Sequence, residues 1–591
     1  MKKSTLLFLF LSFSFTGSST TILFAQEPSH YNWGSFTRAD SLRGYLSPLR
    51  TCYDVTYYHL DISINPDSQS IQGSNTIRFK VVNAFNKMQV DLFANMNVDS
   101  IILEDGTILK YSREFGAVFI NMPRELEQNT EHQIVFYYSG RPQVAKNPPW
   151  DGGFIWKKDK SRSLLSQKEY AGSRKAGQGN PWVMVTCQGT GASLWWPNKD
   201  HQSAEPDSML LSVTIPKGLE DISNGRLRSE VELPGGRTQY NWFISYPINN
   251  YDVTVNIGRY AHFNDTYRSR DGSKLTLDYY VMQENLQKAK KQFKQVKTML
   301  ACYEKYFGKY PFYRDGYKLI ESSHNGMEHQ SAIAYGNHYQ LGYEGRASST
   351  VGLKFDFIIV HESAHEWWGN SITSKDVADM WIHESFAAYA EALYAEYNWG
   401  HKAALEYINA KKQNVRNDEP IIGPYNVNHE GAGDMYDKGQ LVLNTLRDVI
   451  ANDKLWFSIL KGFQEKYAYQ TVDADDIIDY INQHTGTDYN YFFEQYLRYP
   501  ALPQLTVFVT KKGDSTALRF KWDASMKDFK MPIKVTTSKN RFEFIHPTTE
   551  WQTMKLVKFD PKDFKVDEDE FFCKVKINRY YIDPRSDIKI F

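Results

Sequence analysis

One stretch constrains this chain more than any other: residues 356–396, DFIIVHESAHEWWGNSITSKDVADMWIHESFAAYAEALYAE. It holds the pattern H-E-x-x-H at His361, Glu362, Ser363, Ala364 and His365, and after eighteen intervening residues comes Glu384. The run 355–368 contains neither Gly nor Pro and is apolar on most faces, so it reads as a buried helix. Residues four apart on a helix lie nearly one above the other, which sets the two imidazoles side by side, able to grip one ion. Glu362 is turned by about 100° from His361 and can face the same cavity without ligating. Gly369-Asn370 ends this helix, and a second one, over 378–397, carries Glu384. Two histidines and a carboxylate are the ligands of a catalytic zinc, because three protein ligands leave one tetrahedral position open for water. The bland alternative, histidines that merely hydrogen-bond inside a helix, buries two His and an acid with neither partner nor metal, which is costly.

With 591 residues the chain exceeds a single core. Its 41% hydrophobic and 15% aromatic content is that of a globular and not a disordered protein. Lys+Arg and Asp+Glu both number 69, with no long run of like charge, so nothing attracts nucleic acid or an anionic membrane surface. Lys2 and Lys3 precede an apolar run over 6–15, a small polar patch and Ala25. This is the pattern of a secretory signal peptide, residues 1–25, with cleavage after Ala25. The apolar run is short for a bilayer span, and no later window is a spanning candidate. The mature protein is therefore expected to be exported, periplasmic or extracellular, without stable membrane insertion. Cys52, Cys187, Cys302 and Cys573 are too few and too far apart for a disulfide framework or a metal knuckle. They read as small buried hydrophobes, with room for one long-range bridge in an oxidising compartment.

From about 53 to 260 the pattern is β: alternating apolar residues over 53–64, a turn at Asn65-Pro66-Asp67, then strand-like runs at 76–82, 88–92, 133–138, 209–215 and 251–257. No long amphipathic helix intervenes, so an antiparallel β-sandwich or saddle is expected for 26–265. Within it the Gly-, Lys- and Ser-rich segment 139–180 reads as a long surface excursion. After a strand at 275–282, residues 284–307 follow helical spacing through Phe293, Val296, Leu300, Tyr303 and Phe307. Short strands at 318–321 and 331–335 precede the two ion-gripping helices, and four further helices are expected at 437–450, 454–467, 473–483 and 489–499. This is an α+β unit over 266–500, closed by Pro500 and Pro503. Strand patterns at 505–510, 518–522, 533–537, 542–545 and 573–577 make 501–591 a small terminal β-sandwich.

Four separated motifs then carry a resemblance over most of the chain. They are Gln188 to Pro206 with Trp196-Pro197-Asn198-Lys199-Asp200 and the later Ser223-Asn224-Gly225; Asn325-Gly326-Met327-Glu328-His329; the H-E-x-x-H helix with Glu384; and Tyr436-Asp437-Lys438-Gly439. In this order they resemble the aminopeptidase N-type family of zinc metallopeptidases, the gluzincins that include leukotriene hydrolase-like enzymes. The second motif is similar to the family's G-x-M-E-N exopeptidase loop, the fourth to its Y-x-K-G segment. There are departures: Asn325 stands where the family usually has Gly, His329 where it has Asn, and His383-Glu384-Ser385 where N-E-G is common.

The resemblance implies a multidomain α+β protein with a thermolysin-like catalytic domain. It implies a zinc aminopeptidase acting on peptides with a free N-terminus, with one zinc per chain on His361, His365 and Glu384. Glu362 would be the general base towards water, and Tyr436 would donate its phenol proton to the developing oxyanion. Glu328 would anchor the α-ammonium with help from Gln188, while Gly326 and Met327 line the substrate pocket. Two other readings stay open: a zinc endopeptidase or other zinc hydrolase on the same core, which needs no amine anchor, and a non-catalytic scaffold, which would not need its ligands intact.

Overall fold

The computed structural model describes residues 31–159 and 179–583, so the expected signal segment and part of the 139–180 excursion lie outside the described residues. Tyr53–Asn65 alternates buried and exposed positions and turns back into Ser70–Val81. The Asn65 side chain holds the turn by accepting from the N–H groups of Asp67 and Ser68. These strands sit inside a seven-stranded sheet in the order Arg226–Leu233, Arg237–Ile244, Ser208–Pro216, Tyr53–Asn65, Ser70–Val81, Glu131–Gly140, Met96–Leu103. The expected antiparallel pattern holds at every pairing but one. Tyr53–Asn65 and Ser208–Pro216 run parallel, because the chain traverses the other layers between them. A three-stranded and a four-stranded sheet bury their apolar faces in the same core, around Tyr58, Leu60, Trp195 and Trp196.

Two local expectations fail here. Gly153–Lys158, inside the predicted surface excursion, is a strand paired with Pro181–Thr186, because Phe154 and Ile155 are buried. Two apolar residues amid Gly, Lys and Ser are too short a run to show a period. The strand expected at 251–257 opens instead as a tight turn, Asn250–Asp252, capped by the Asn249 side chain, and only Val255–Gly258 is extended.

A five-stranded mixed sheet follows, ordered Tyr260–Arg268, Lys274–Met282, Tyr317–Glu321, Ile333–Tyr335, Gly326–Met327. Tyr260–Arg268 pairs along its whole length with Lys274–Met282, so the sheets divide before Tyr260 and not after Asp265. The helix expected over 284–307 is two, Leu286–Gln292 and Gln295–Tyr306. They break where Phe293 turns inward to meet Tyr335 edge-on, at 4.9 Å. Behind the sheet lie Phe357–Ala364 and Trp381–Trp399, the second buried over all but its last turn. Its alanines let the neighbours Phe357–Ala364, His401–Asn409 and Asp434–Ile450 approach closely. His401–Asn409 lies where no helix was expected.

The last unit is a four-stranded sheet, Gln552–Val557, Ser515–Asp523, Gln504–Lys512, Lys574–Ile582, with the hairpin Ile533–Ser538 and Arg541–Ile545. Its core runs without interruption into that of the helices Trp381–Trp399 and Asp434–Ile450. Met327, Ile320 and Ala334 of the five-stranded sheet belong to the core of the amino-terminal unit. All four cysteines are free, three of them buried. Among the described residues no helix is long and apolar enough to cross a membrane.

Candidate metal centre and substrate cleft

The helix Phe357–Ala364 starts at a fixed point. Asp356 caps it, and the same buried carboxylate accepts from Gln292, the Tyr335 hydroxyl and Asn337, which ties the helix to the sheet. One turn inside, the His361 Nδ1 meets Glu391 Oε1 at 2.7 Å; the His365 Nδ1 meets the Trp368 carbonyl at 3.0 Å. A carbonyl only accepts, so the His365 Nδ1 carries the proton and its Nε2 presents a lone pair; Glu391 enforces the same tautomer on neutral His361. The two Nε2 atoms face each other at 3.4 Å, and Glu384 Oε2 lies 3.5 Å from one and 3.4 Å from the other. Glu384 Oε2 is buried and makes no hydrogen bond. Three acceptor atoms turned inward repel one another unless a cation lies between them. Tetrahedral zinc with bonds of about 2.0–2.1 Å needs ligand atoms roughly 3.3–3.4 Å apart, so this donor set fits the ion.

The remaining predicted residues gather around that point. The carboxylates of Glu328 and Glu362 and a ring nitrogen of His365 offer atoms within 4.8 Å of one another. Burial pushes Glu362 up to about 8, with His361 pulling it down and Glu328 pushing it further up. Glu328 is also raised by burial, against the pull of His365. It follows Gly326–Met327, the edge strand of the five-stranded sheet. This strand passes so close to Glu362 that a Cβ on Gly326 would collide with the carboxylate, which is why glycine is needed there for space. Met327 is buried at the wall of the cleft. Tyr436, in the first turn of Asp434–Ile450, stacks on His361 with centroids 6.0 Å apart. Burial first, then Glu384 and Glu430, keep its phenol protonated far above the ordinary range. Gln188 reaches the same cleft from the turn after Pro181–Thr186, but its amide N–H donates to Glu384 Oε1 at 2.8 Å and not to Glu328.

Three of the motif departures have local partners. Asn325 donates to the Tyr343 hydroxyl, the His383 Nε2 accepts from the Ser374 N–H at 2.8 Å, and Ser385 donates to the Met435 carbonyl at 2.7 Å. His329 is buried, and nothing in the structure explains its identity. Two contributors escaped sequence reasoning. Glu391 orients His361 and accepts from Tyr407; its spacing of seven from Glu384, two turns along the same helix face, was the available signal. The Tyr251 hydroxyl donates to Glu328 Oε1 at 3.0 Å, and no local pattern announces it.

Residues 291–496 match the model of the peptidase family M1 domain. The chain is 24% identical over 420 residues to leucyl aminopeptidase of Saccharolobus solfataricus, covering 68% of this chain and 52% of that protein. To aminopeptidase N of Escherichia coli it is 22% identical over 291 residues, covering 46% and 33%. It thus spans at most about half the length of these curated relatives. A mutant M1 zinc metallopeptidase from Deinococcus radiodurans, solved with a Tyr-Ser-Ala substrate, superposes with a TM-score of 0.59 at 16% identity, over 75% of this chain and 94% of that one. The fold and the relatives agree with that match: residues 291–496 form a peptidase family M1 domain, and the chain is similar to aminopeptidase N-type zinc metallopeptidases.

Proposed function

We propose that the chain is a zinc aminopeptidase that removes single residues from peptides with a free N-terminus, using one zinc per chain on His361, His365 and Glu384. A zinc ion held there supplies polarisation of the scissile carbonyl and a water acidic enough to be deprotonated near neutral pH. Glu362, buried beside the ligand histidines, takes that proton and returns it to the leaving amine. Tyr436 donates its phenol proton to the developing oxyanion in a site shielded from water.

The observation that carries the exopeptidase reading is the position of Glu328. Its buried carboxylate lies within 4.8 Å of Glu362 and His365 groups, so an ammonium paired with it puts the first peptide bond of the substrate, and no later one, at the base. The Tyr251 hydroxyl steadies that carboxylate, and Gln188, whose N–H is spent on Glu384, offers its amide oxygen to the same ammonium. A blocked amine leaves Glu328 without a partner, a penalty of roughly 1–3 kcal/mol or more. An endopeptidase would have no use for such an acid beside its base. The charged-then-apolar start of the chain supports export, hence a periplasmic or extracellular site of action.

The test compares one free peptide with its N-acetylated form on wild type and Glu328→Ala. The free peptide should be strongly preferred, and the substitution should lower its kcat/KM far more than that of the acetylated form. Equal slowing of both would reduce the reading to a zinc peptidase of another cleavage mode, and undiminished zinc content in Glu384→Ala would remove that residue from the ligand set.

A further inference from the structure

The proposed amine anchor and the metal-gripping histidines belong to different elements, and six residues join them. Residues 365–370 continue the helix Phe357–Ala364 as a series of turns, and His365 opens this segment. Its Nδ1 donates to the Trp368 carbonyl at 3.0 Å, and its own carbonyl accepts from the Asn370 N–H, also at 3.0 Å. The segment therefore fixes one of the histidines that face the ion. Two of its side chains also reach the loop that follows Gly326–Met327 and carries Glu328. Asn370 donates its amide N–H to the Glu328 carbonyl at 2.8 Å, and Glu366 Oε1 accepts from the Ser331 N–H at 2.8 Å. Glu366 is steadied in turn by the Tyr310 hydroxyl, 3.1 Å from its Oε2. Glu366 and Asn370 are both buried, and among the described residues neither lines the cleft.

The loop itself needs such support. The His329 carbonyl accepts from the Ala332 N–H at 2.9 Å, which closes a tight turn, and Ser331 within it has a φ of 55°. Serine seldom adopts this left-handed region, so surrounding contacts must impose it. Two contacts do so: Glu366 on the Ser331 N–H, and the Gly225 N–H on the Ser331 Oγ at 2.9 Å.

The amino-terminal unit and the 365–370 segment hold Glu328 in different ways. Tyr251 touches its side chain, which sets how the carboxylate is presented to an ammonium. Asn370 and Glu366 hold the main chain at the first and last residues of the loop, which sets how far that carboxylate stands from His365 and Glu362. A substrate tethered by its ammonium meets the base only if this gap matches the reach from the ammonium to the first peptide carbonyl. A misplacement of about 1 Å costs about a hundredfold in rate.

We propose that Glu366 and Asn370 are positioning residues that set the spacing between the amine anchor and the metal, and so select the first peptide bond for cleavage; the proposal rests on the aminopeptidase reading above. Both act through main-chain groups of the loop. Their loss leaves an ammonium bound but presents the wrong part of the substrate to Glu362.

The experiment measures kcat and KM on trialanine and on its N-acetylated form, together with zinc content, for wild type, Asn370→Ala, Glu366→Ala and Glu366→Gln. Asn370→Ala should lower kcat on trialanine about tenfold to a hundredfold, with full zinc, KM within about twofold and little change on the acetylated peptide. Glu366→Ala should act alike, whereas Glu366→Gln keeps an acceptor for the Ser331 N–H and should stay near wild type. Added to Glu328→Ala, Asn370→Ala should slow trialanine no further, because no anchor is left to place. The two alanine variants remove separate hydrogen bonds, so either one decides the matter if the other folds poorly. Equal slowing of both peptides, a loss of zinc, a Glu366→Gln variant as slow as Glu366→Ala, or multiplied effects in the double variant would each overturn the proposal. A wild type that cleaves both peptides alike would sink the aminopeptidase reading, and the proposal with it, before any variant is compared.

Discussion

Where the amino-terminal unit meets the five-stranded sheet, the contacts are buried and polar. Asn224 donates to the Gln330 carbonyl at 2.7 Å, Lys318 to the Gly225 carbonyl at 2.6 Å, Tyr251 to Glu328 and Gln188 to Glu384. Where the carboxy-terminal unit meets the helices, a continuous apolar core crosses the seam, beside hydrogen bonds such as that from the Tyr496 hydroxyl to the Phe572 carbonyl at 2.6 Å and from the Phe572 N–H to Thr445 at 2.9 Å. Phe529 sits among the rings of Tyr491, Tyr496 and Trp522, within one core that includes Met531 and Phe571. Hydrogen bonds are directional and fix atoms in place, whereas apolar burial is proportional to area and indifferent to direction. The first seam therefore fixes the groups proposed to handle substrate, and the second adds cohesion through its shared apolar core.

The largest effect should come from the apolar seam. Phe529→Ala should cost about 3–5 kcal/mol of stability, read by chemical denaturation, while kcat/KM per folded molecule stays near wild type. Loss of activity in fully folded protein would make the carboxy-terminal unit part of the catalytic apparatus and break the contrast. Next is Tyr251→Phe, which deletes one hydroxyl at the polar seam. An ill-held buried carboxylate costs about 1–3 kcal/mol, so kcat/KM on free peptides should fall roughly 5- to 150-fold with little change in melting temperature. An unfolded variant with unaltered kinetics would reverse the assignment.

The smallest effect is a pH dependence at the rim of the apolar seam. Hydrogen bonds to Glu396 and Glu570 raise His401 to about 10, against partial burial. A histidine raised in the folded state adds stability that is complete below its unfolded value of about 6.5 and is lost as pH rises through about 10. The pair is substantially exposed, so the contribution is about 0.2–1 kcal/mol. His401→Gln should destabilise at pH 6 by that amount and be neutral at pH 10.5; an equal loss at both would mean that packing, not charge, is at stake.

The ion-gripping helix and the Glu384 helix were legible because their pattern is local, a spacing of four inside an apolar run, although the first helix ends at Ala364 and not at the expected stop Gly369-Asn370. The amino-terminal strands were legible for the same reason, through period-two alternation from Tyr53 onward. What escaped depends on contacts distant in sequence. Gly153–Lys158 becomes a strand only because Pro181–Thr186 comes to pair with it. The continuous helical spacing of 284–307 conceals a break made by the burial of Phe293 against the sheet. Tyr251 acquires its role from Glu328, seventy-seven positions away.

The collision that a Cβ on Gly326 would suffer has a consequence for how this site can vary. The proposed reaction depends at that position on missing atoms. Any side chain there would displace the Glu362 carboxylate, the proposed carrier of the proton, before it touched a substrate. Its kinetic signature would be a fall in turnover with the shape of the pH profile retained, since no ionisable group has been lost. Position 326 thus behaves as a mould for Glu362, and a survey of functional groups alone would overlook it.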